Sequence, residues 1–156
     1  MSEVDALMRI LVATALGAML GLEREITAKP AGLRTHMLVA EGSCLFMVGA
    51  ILLAEQTDTG PFAVIDPTRV GSTIVTGVGF LGAGMILRSG DRVQGLTTAA
   101  GIWVAAAIGM LIGSGFFLIG VFGTVLSLVT LIGLRFIERS LLRPRAADRL
   151  SEDEEE

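Results

Sequence analysis

Apolar residues in this chain come in long unbroken runs separated by short polar interruptions, not in the alternation of a half-buried strand or the stripe of a water-soluble helix. Crossing the hydrocarbon core of a bilayer takes roughly 17 to 25 apolar residues in a helix. A window of that length predicts five spans: Ala6 to Leu22, Met37 to Ala54, Val70 to Leu87, Leu96 to Gly113 and Phe116 to Phe136. Only Ser114-Gly115 separates the last two, so they form a tight helical hairpin. Four spans is the alternative count, with the fourth re-entrant. The expected fold is an all-α integral membrane protein of about five transmembrane helices. Residues 1–137 form its membrane domain, and 138–156 a short cytoplasmic amphipathic segment with an acidic, disordered tail.

The polar interruptions carry the orientation, because lysine and arginine near span ends favour the cytoplasm. Arg24, Lys29 and Arg34 fall between spans one and two, Arg88 and Arg92 between three and four, and Arg135, Arg139, Arg143, Arg145 and Arg149 after span five. An odd span count puts all three groups on one side. Arg9 and Arg69 then point to the other face, whose loop Glu55 to Asp66 is acidic. The N-terminus is expected outside and the C-terminus in the cytoplasm.

Composition agrees: 52% of the 156 residues are hydrophobic, too many for a water-soluble domain of this length, so the lipid bilayer is the first expected partner. The net charge of −4 belongs to the run Ser151 to Glu156, and without it twelve bases face eleven acids. Nothing here resembles a nucleic-acid-binding surface. The single cysteine, Cys44, excludes an internal disulfide or a cysteine metal cage. The acidic opening Ser2-Glu3-Val4-Asp5 is unlike the basic start of a cleavable signal, so the first apolar segment is expected to stay.

Twenty glycines, mostly inside apolar runs, cannot all be turns. Gly17 with Gly21, and Gly109 with Gly113, are GxxxG pairs; Gly77, Gly79, Gly82 and Gly84 crowd span three, which is expected at the centre of the bundle or in a dimer seam. Gly77 to Gly82 also fits the dinucleotide pattern G-x-G-x-x-G, but it lies within one apolar span, without the preceding strand that pattern requires.

Candidate chemistry gathers at the span ends. Glu23, Arg24 and Glu25 close span one, and Arg34, Thr35 and His36 open span two. They read as interfacial anchors or as a polar cluster in which Glu23, Glu25 and Glu41 are weak candidate Mg²⁺ ligands, without a diagnostic metal spacing. Asp66-Pro67-Thr68-Arg69 opens span three as a helix cap or as an acid–base pair at a membrane mouth. Thr97 and Thr98 open span four, where a hydroxyl satisfies backbone NH groups or bonds to a neighbouring helix. Glu41 lies more than a turn inside span two, where an ionised carboxylate costs at least about 2.5 kcal/mol. It is either protonated or paired, with Arg24 and Arg34 the nearest bases by depth. No arrangement of residues supports nucleophilic catalysis: His36 and Cys44 sit about 80° apart on one helix.

In order and spacing, GLERE at Gly21 to Glu25, KPAGLRTH at Lys29 to His36, DPxR at Asp66 to Arg69, GxGFLGAG at Gly77 to Gly84 and GLTTAAxxW at Gly95 to Trp103 resemble the MgtC/SapB family across about residues 10 to 130. The resemblance implies a multi-pass bacterial inner-membrane protein associated with low magnesium, acid stress and virulence. It also implies a regulator acting on other membrane proteins, including the proton-driven ATP synthase; the glycine-rich packing surface adds the expectation of a homodimer or other homo-oligomer, and loops too short for chemistry that of a non-enzyme. The alternative is a transporter or channel for Mg²⁺, another small cation or protons. No cofactor is expected beyond a possible Mg²⁺. Longer members carry a C-terminal soluble domain resembling an ACT fold, and about twenty residues rich in bases and acids stand in that place here, so this chain is expected to be a short form.

Overall fold

The computed structural model describes residues 1–57 and 66–142. Five helices, α1 (Glu3–Ile26), α2 (Leu33–Thr57), α3 (Pro67–Gly84), α4 (Leu96–Gly113) and α5 (Phe117–Leu142), are joined between α3 and α4 by a hairpin of β1 (Leu87–Ser89) and β2 (Arg92–Gln94). The chain is an all-α membrane protein. It divides into two compact units, Met1–Thr124 and Val125–Glu156. The acidic tail and the amphipathic segment beyond Leu142 lie outside the described residues, as does most of the Glu55 to Asp66 loop.

Among the described residues, four helices are long and apolar enough to cross a bilayer: α1, α2 over Leu33–Gln56, α4, and α5 over Phe117–Ile137. The helix that falls short is α3, not the fourth, because Arg69, Ser72, Thr73, Thr76 and its glycines dilute its apolar content. Span three does not run to Leu87. The helix stops at Gly84, and Leu87 pairs with Gln94 in the hairpin, whose two-residue turn starts at Gly90 with φ +59°.

Packing centres on α2, which lies against α1, α3 and α4. Of the two places expected for the glycine-rich third helix, the fold thereby rules out the middle of the bundle. One face of α3 does face inward: Ile74 and Val78 join Met47 of α2 and Ile102 and Ala106 of α4 in an apolar cluster. Gly82 stands 3.6 Å, measured from an added Cβ, from Ala99. Among the described residues, nothing beyond their own stretch of helix lies within 4 Å of where a Cβ would stand on Gly77, Gly79 or Gly84. They lie on the outer, exposed face with Thr76, Phe80 and Ala83.

Two helix ends show the same device with different residues. After α1, Lys29 N bonds Arg24 O at 2.9 Å and Ala28 N bonds Glu25 O at 3.0 Å; after α4, Phe116 N bonds Leu111 O and Gly115 N bonds Ile112 O, both at 2.9 Å. Each is a Schellman closure, which needs a left-handed residue. Gly115 supplies it with φ +90°, whereas Ala28 is forced to φ +52°. An L-residue with a Cβ pays about 1 kcal/mol there. Ala28→Gly is therefore expected to stabilise the purified protein by about that amount, read as a raised thermal midpoint.

Asp66 caps α3. Its Oδ1 accepts from Thr68 N at 2.9 Å and Thr68 Oγ1 at 2.7 Å. The bond from the Thr68 hydroxyl, followed by that from the Thr68 amide, holds its carboxyl below the ordinary 3.8. The carboxylate contributes stability above that ordinary value, and the contribution is lost as pH falls through the lowered one. Amide exchange in the first turn of α3 should accelerate on acidification over that range, and Asp66→Ala should remove the pH dependence. Arg69 does not pair with this carboxylate; its amide donates to the Asp66 carbonyl at 3.1 Å.

Candidate functional site

The site begins with how closely three helices approach. A Cβ on Gly17 of α1 would lie 2.7 Å from His36 O and 2.9 Å from Ala40 Cβ, and one on Gly21 would lie 2.6 Å from Leu33 Cα. From the other side, a Cβ on Gly113 of α4 would lie 2.8 Å from Met47 Cβ, and one on Gly109 would collide with the Ala40 carbonyl oxygen. With lipid as apolar as side chains, such contact earns dispersion energy that bulkier residues would forfeit. Ala40 and Cys44 are completely buried between α1 and α4 as a result.

Close approach brings polar side chains together where α1 ends and α2 and α4 begin. Arg24 is only 5% exposed. Its Nη2 donates to Thr98 Oγ1 of α4 at 3.4 Å, and its Nη1 lies 3.8 Å from Glu23 Oε2. His36 is 1% exposed. Its Nδ1 lies 3.1 Å from the Gly32 carbonyl, an acceptor only, so Nδ1 carries the proton in the neutral ring. Nε2 is then a buried lone pair without a hydrogen-bond partner. It points at α4, where a Cβ on Gly101 would come within 3.2 Å of it.

Other predicted site residues are placed differently. Glu25 Oε2 accepts from Leu33 N at 3.0 Å, capping the start of α2, and Gly32 leaves room for that carboxylate. Arg34 and Thr97 are exposed, and Thr35 is half-buried. Glu41 meets neither Arg24 nor Arg34: its Oε2 lies 3.3 Å from Thr14 Oγ1 of α1. Thr14 precedes Glu23 by nine residues, about 13 Å of helix, so the three acids considered for Mg²⁺ do not converge. Among the described residues, no three His, Cys, Asp or Glu side chains gather to hold a metal ion.

At the opposite end, Arg9 performs a role that the charge pattern alone did not disclose. Its Nη2 donates to Asp5 Oδ2 and its Nη1 to Gly113 O, both at 2.8 Å. It therefore ties α1 to the carbonyl end of α4, where a cation is favoured. The i, i+4 pairing with Asp5 was readable from spacing; the bond to Gly113 depends on tertiary structure. Trp103 is half exposed and walls an apolar groove of about 340 Å³ with Val75, Ala107, Met110 and Phe116.

The polar junction offers a fixed cation, a buried imidazole, a carboxylate and a hydroxyl held by three helices. That arrangement locks helix ends in register and contains no activated nucleophile. YhiD of Escherichia coli K12 is 48% identical over 122 residues, covering 78% of this chain and 56% of the relative. SapB of Bacillus subtilis is 42% identical, covering 74% and 50%, and MgtC of Salmonella typhimurium LT2 is 40% identical, covering 83% and 52%. The chain spans about half the length of these curated relatives. No solved structure matches it. The MgtC family profile matches residues 10–140, and the chain belongs to the MgtC family.

Proposed function

We propose that this chain is a non-enzymatic regulator in a bacterial inner membrane, acting at low magnesium or in acid through helix contacts with a second copy and with other membrane proteins, ATP synthase among them. The outer face of α3 carries this reading. Phe80 is 81% exposed. Its neighbours one turn away, Thr76, Gly77, Ala83 and Gly84, are small and exposed. An aromatic knob among small residues on one helix suits its own copy across a two-fold axis, and close backbone approach is how helices associate in lipid.

The test is cysteine cross-linking of Gly77→Cys in native membranes, with the mass of the detergent-solubilised protein measured beside it. A cross-linked dimer, lost when Phe80 is also changed to Ala, supports the reading. A monomer that neither cross-links nor co-purifies with another membrane protein sinks it.

The YhiD relative is described as a candidate magnesium transporter. Transport is the competing reading for this chain, and Mg²⁺ flux into proteoliposomes decides it. Flux above that of empty vesicles would replace the regulator with a transporter.

A further inference from the structure

The β1–β2 hairpin leaves the bundle at the end where α1 stops and α2 and α4 start. Close backbone approach fixes this placement, with Gly21 against Leu33 and Gly82 against Ala99. The base of the hairpin is pinned. Gly95, in the left-handed region at φ +90°, lies so near the Met85 carbonyl that a Cβ would collide with it, and Ile86 N bonds Ala83 O at 3.1 Å. α4 is apolar enough to cross the bilayer and starts at Leu96, directly beyond Gly95. A three-residue strand is about 10 Å long, and the headgroup layer is roughly 5–8 Å thick on each side of the hydrocarbon. A hairpin rooted at the start of α4 thus has its side chains at or beside the lipid phosphates.

Antiparallel pairing sets Leu87 opposite Gln94, Arg88 opposite Val93 and Ser89 opposite Arg92. Opposed residues share a face and successive ones alternate, so Leu87 and Arg92 share one face and Arg88 and Val93 the other. Each face therefore combines one aliphatic side chain with one guanidinium. All six strand residues are exposed, Leu87 at 67% and Val93 at 50%. A two-stranded ribbon is marginal in water, and one showing apolar side chains on both faces is poorly suited to it. Arg88 Nε donates to Gly90 O at 3.2 Å, which occupies one of its five donors. Among the described residues neither Arg88 nor Arg92 forms an ion pair; those present are at Met1–Glu55, Arg9–Asp5 and Arg24–Glu23. The exposed bases at this end of the bundle, Lys29, Arg34, Arg88 and Arg92, face only two exposed acids, Glu25 and Asp91.

Aliphatic side chains beside unpaired guanidinium groups, at the depth of lipid phosphates, fit the surface of an anionic leaflet. We propose that the hairpin is an anionic-lipid-binding element in which Arg88 and Arg92 hold the phosphates of lipids that lack a cationic headgroup, while Leu87 and Val93 rest on the first carbons of their chains. The guanidinium fork meets two phosphate oxygens at once. A zwitterionic lipid brings a phosphate already balanced by its own ammonium, so selectivity arises from the uncompensated charge. Each base near an anionic surface favours such lipids roughly fivefold, and two bases roughly 25-fold, less as salt screens the attraction. This surface is separate from the outer face of α3 around Phe80, so the two assignments stand or fall independently.

The experiment places a reporter on the hairpin of the full chain. Trp103, the single tryptophan, is changed to Phe and Leu87 to Trp, and the protein is reconstituted in phosphatidylcholine vesicles. Fluorescence quenching is then compared between phosphatidylglycerol and phosphatidylcholine, each brominated on the chain close to the glycerol. The expected result is quenching by both lipids, with a 5- to 25-fold preference for phosphatidylglycerol at low salt that shrinks as salt is added. Adding Arg88→Gln and Arg92→Gln should bring the preference to about one while phosphatidylcholine still quenches, and Arg88→Lys with Arg92→Lys should restore most of it. Equal quenching by the two lipids with both arginines present overturns the proposal, as does a preference that the Gln variant retains. Quenching by neither lipid also overturns it, and would place the hairpin clear of the bilayer, where an acidic protein surface becomes the partner to test.

Discussion

Gly109→Ala is expected to lower the thermal midpoint of the detergent-solubilised protein sharply, whereas Gly49→Ala leaves it level or raises it. Both substitutions add one methyl to a transmembrane helix, and alanine improves intrinsic helix propensity by about 1 kcal/mol in each. The surroundings decide the difference. At Gly49 nothing lies within 4 Å of the added Cβ, while at Gly109 it meets the backbone oxygen of Ala40. A carbonyl already committed to a helix cannot rotate away as a side-chain tip can, so α4 must withdraw from α2 as a unit. Overpacking of a close-packed interior costs about 1–3 kcal/mol, and rigid backbone at the contact puts this case at the upper end or beyond. A Gly109→Ala protein as stable as wild type would mean that α2 and α4 do not approach as described.

Arg24→Ala should be comparably damaging. The substitution takes a buried cation from beside the Glu23 carboxylate and removes the donor that Thr98 accepts from α1. Breaking a buried pair by deleting one partner costs about 3–5 kcal/mol, mostly because the remaining charge stays desolvated. Combining Arg24→Ala with Glu23→Gln should therefore destabilise by less than the two single effects added, a coupling that a double-mutant cycle measures. Arg24→Lys should recover only part of the loss, since one ammonium cannot reach both Glu23 and Thr98 as the guanidinium fork does. Strict additivity would show that the two side chains do not act together.

How legible these features are in the sequence follows from the range over which each is determined. The limits of α4, Leu96 and Gly113, coincide with its apolar run because both ends are set locally, by Gly95 with φ +90° and by the Gly115 turn. Glycines one turn apart mark a face of a helix, but not the neighbour that face meets. The same GxxxG logic thus describes Gly109, which is buried against Ala40, and leaves open Gly77, where an added Cβ would meet no other helix among the described residues. The β1–β2 hairpin was missed because Ile86 and Leu87 extend an apolar count, although Ser89-Gly90-Asp91 carries a turn signal. Depth suggested Arg24 or Arg34 as partner for Glu41. Its actual neighbour, Thr14, depends on the rotation of α1, which is set by Gly17 and Gly21.

Glycine contacts on both flanks of α2 also impose an order of assembly during synthesis. The ribosome delivers α1 and α2 together, and their pairing through Gly17 and Gly21 needs no later residue. The opposite flank of α2, with His36 Nε2 and the backbone at Ala40 and Cys44, is covered by Gly101, Gly109 and Gly113, which emerge only after α3. Insertion of α4 is consequently the step that locks the bundle. A nascent chain arrested before Leu96 keeps that flank uncovered and accessible to quality-control proteases, whereas one arrested beyond Gly113 can already close it.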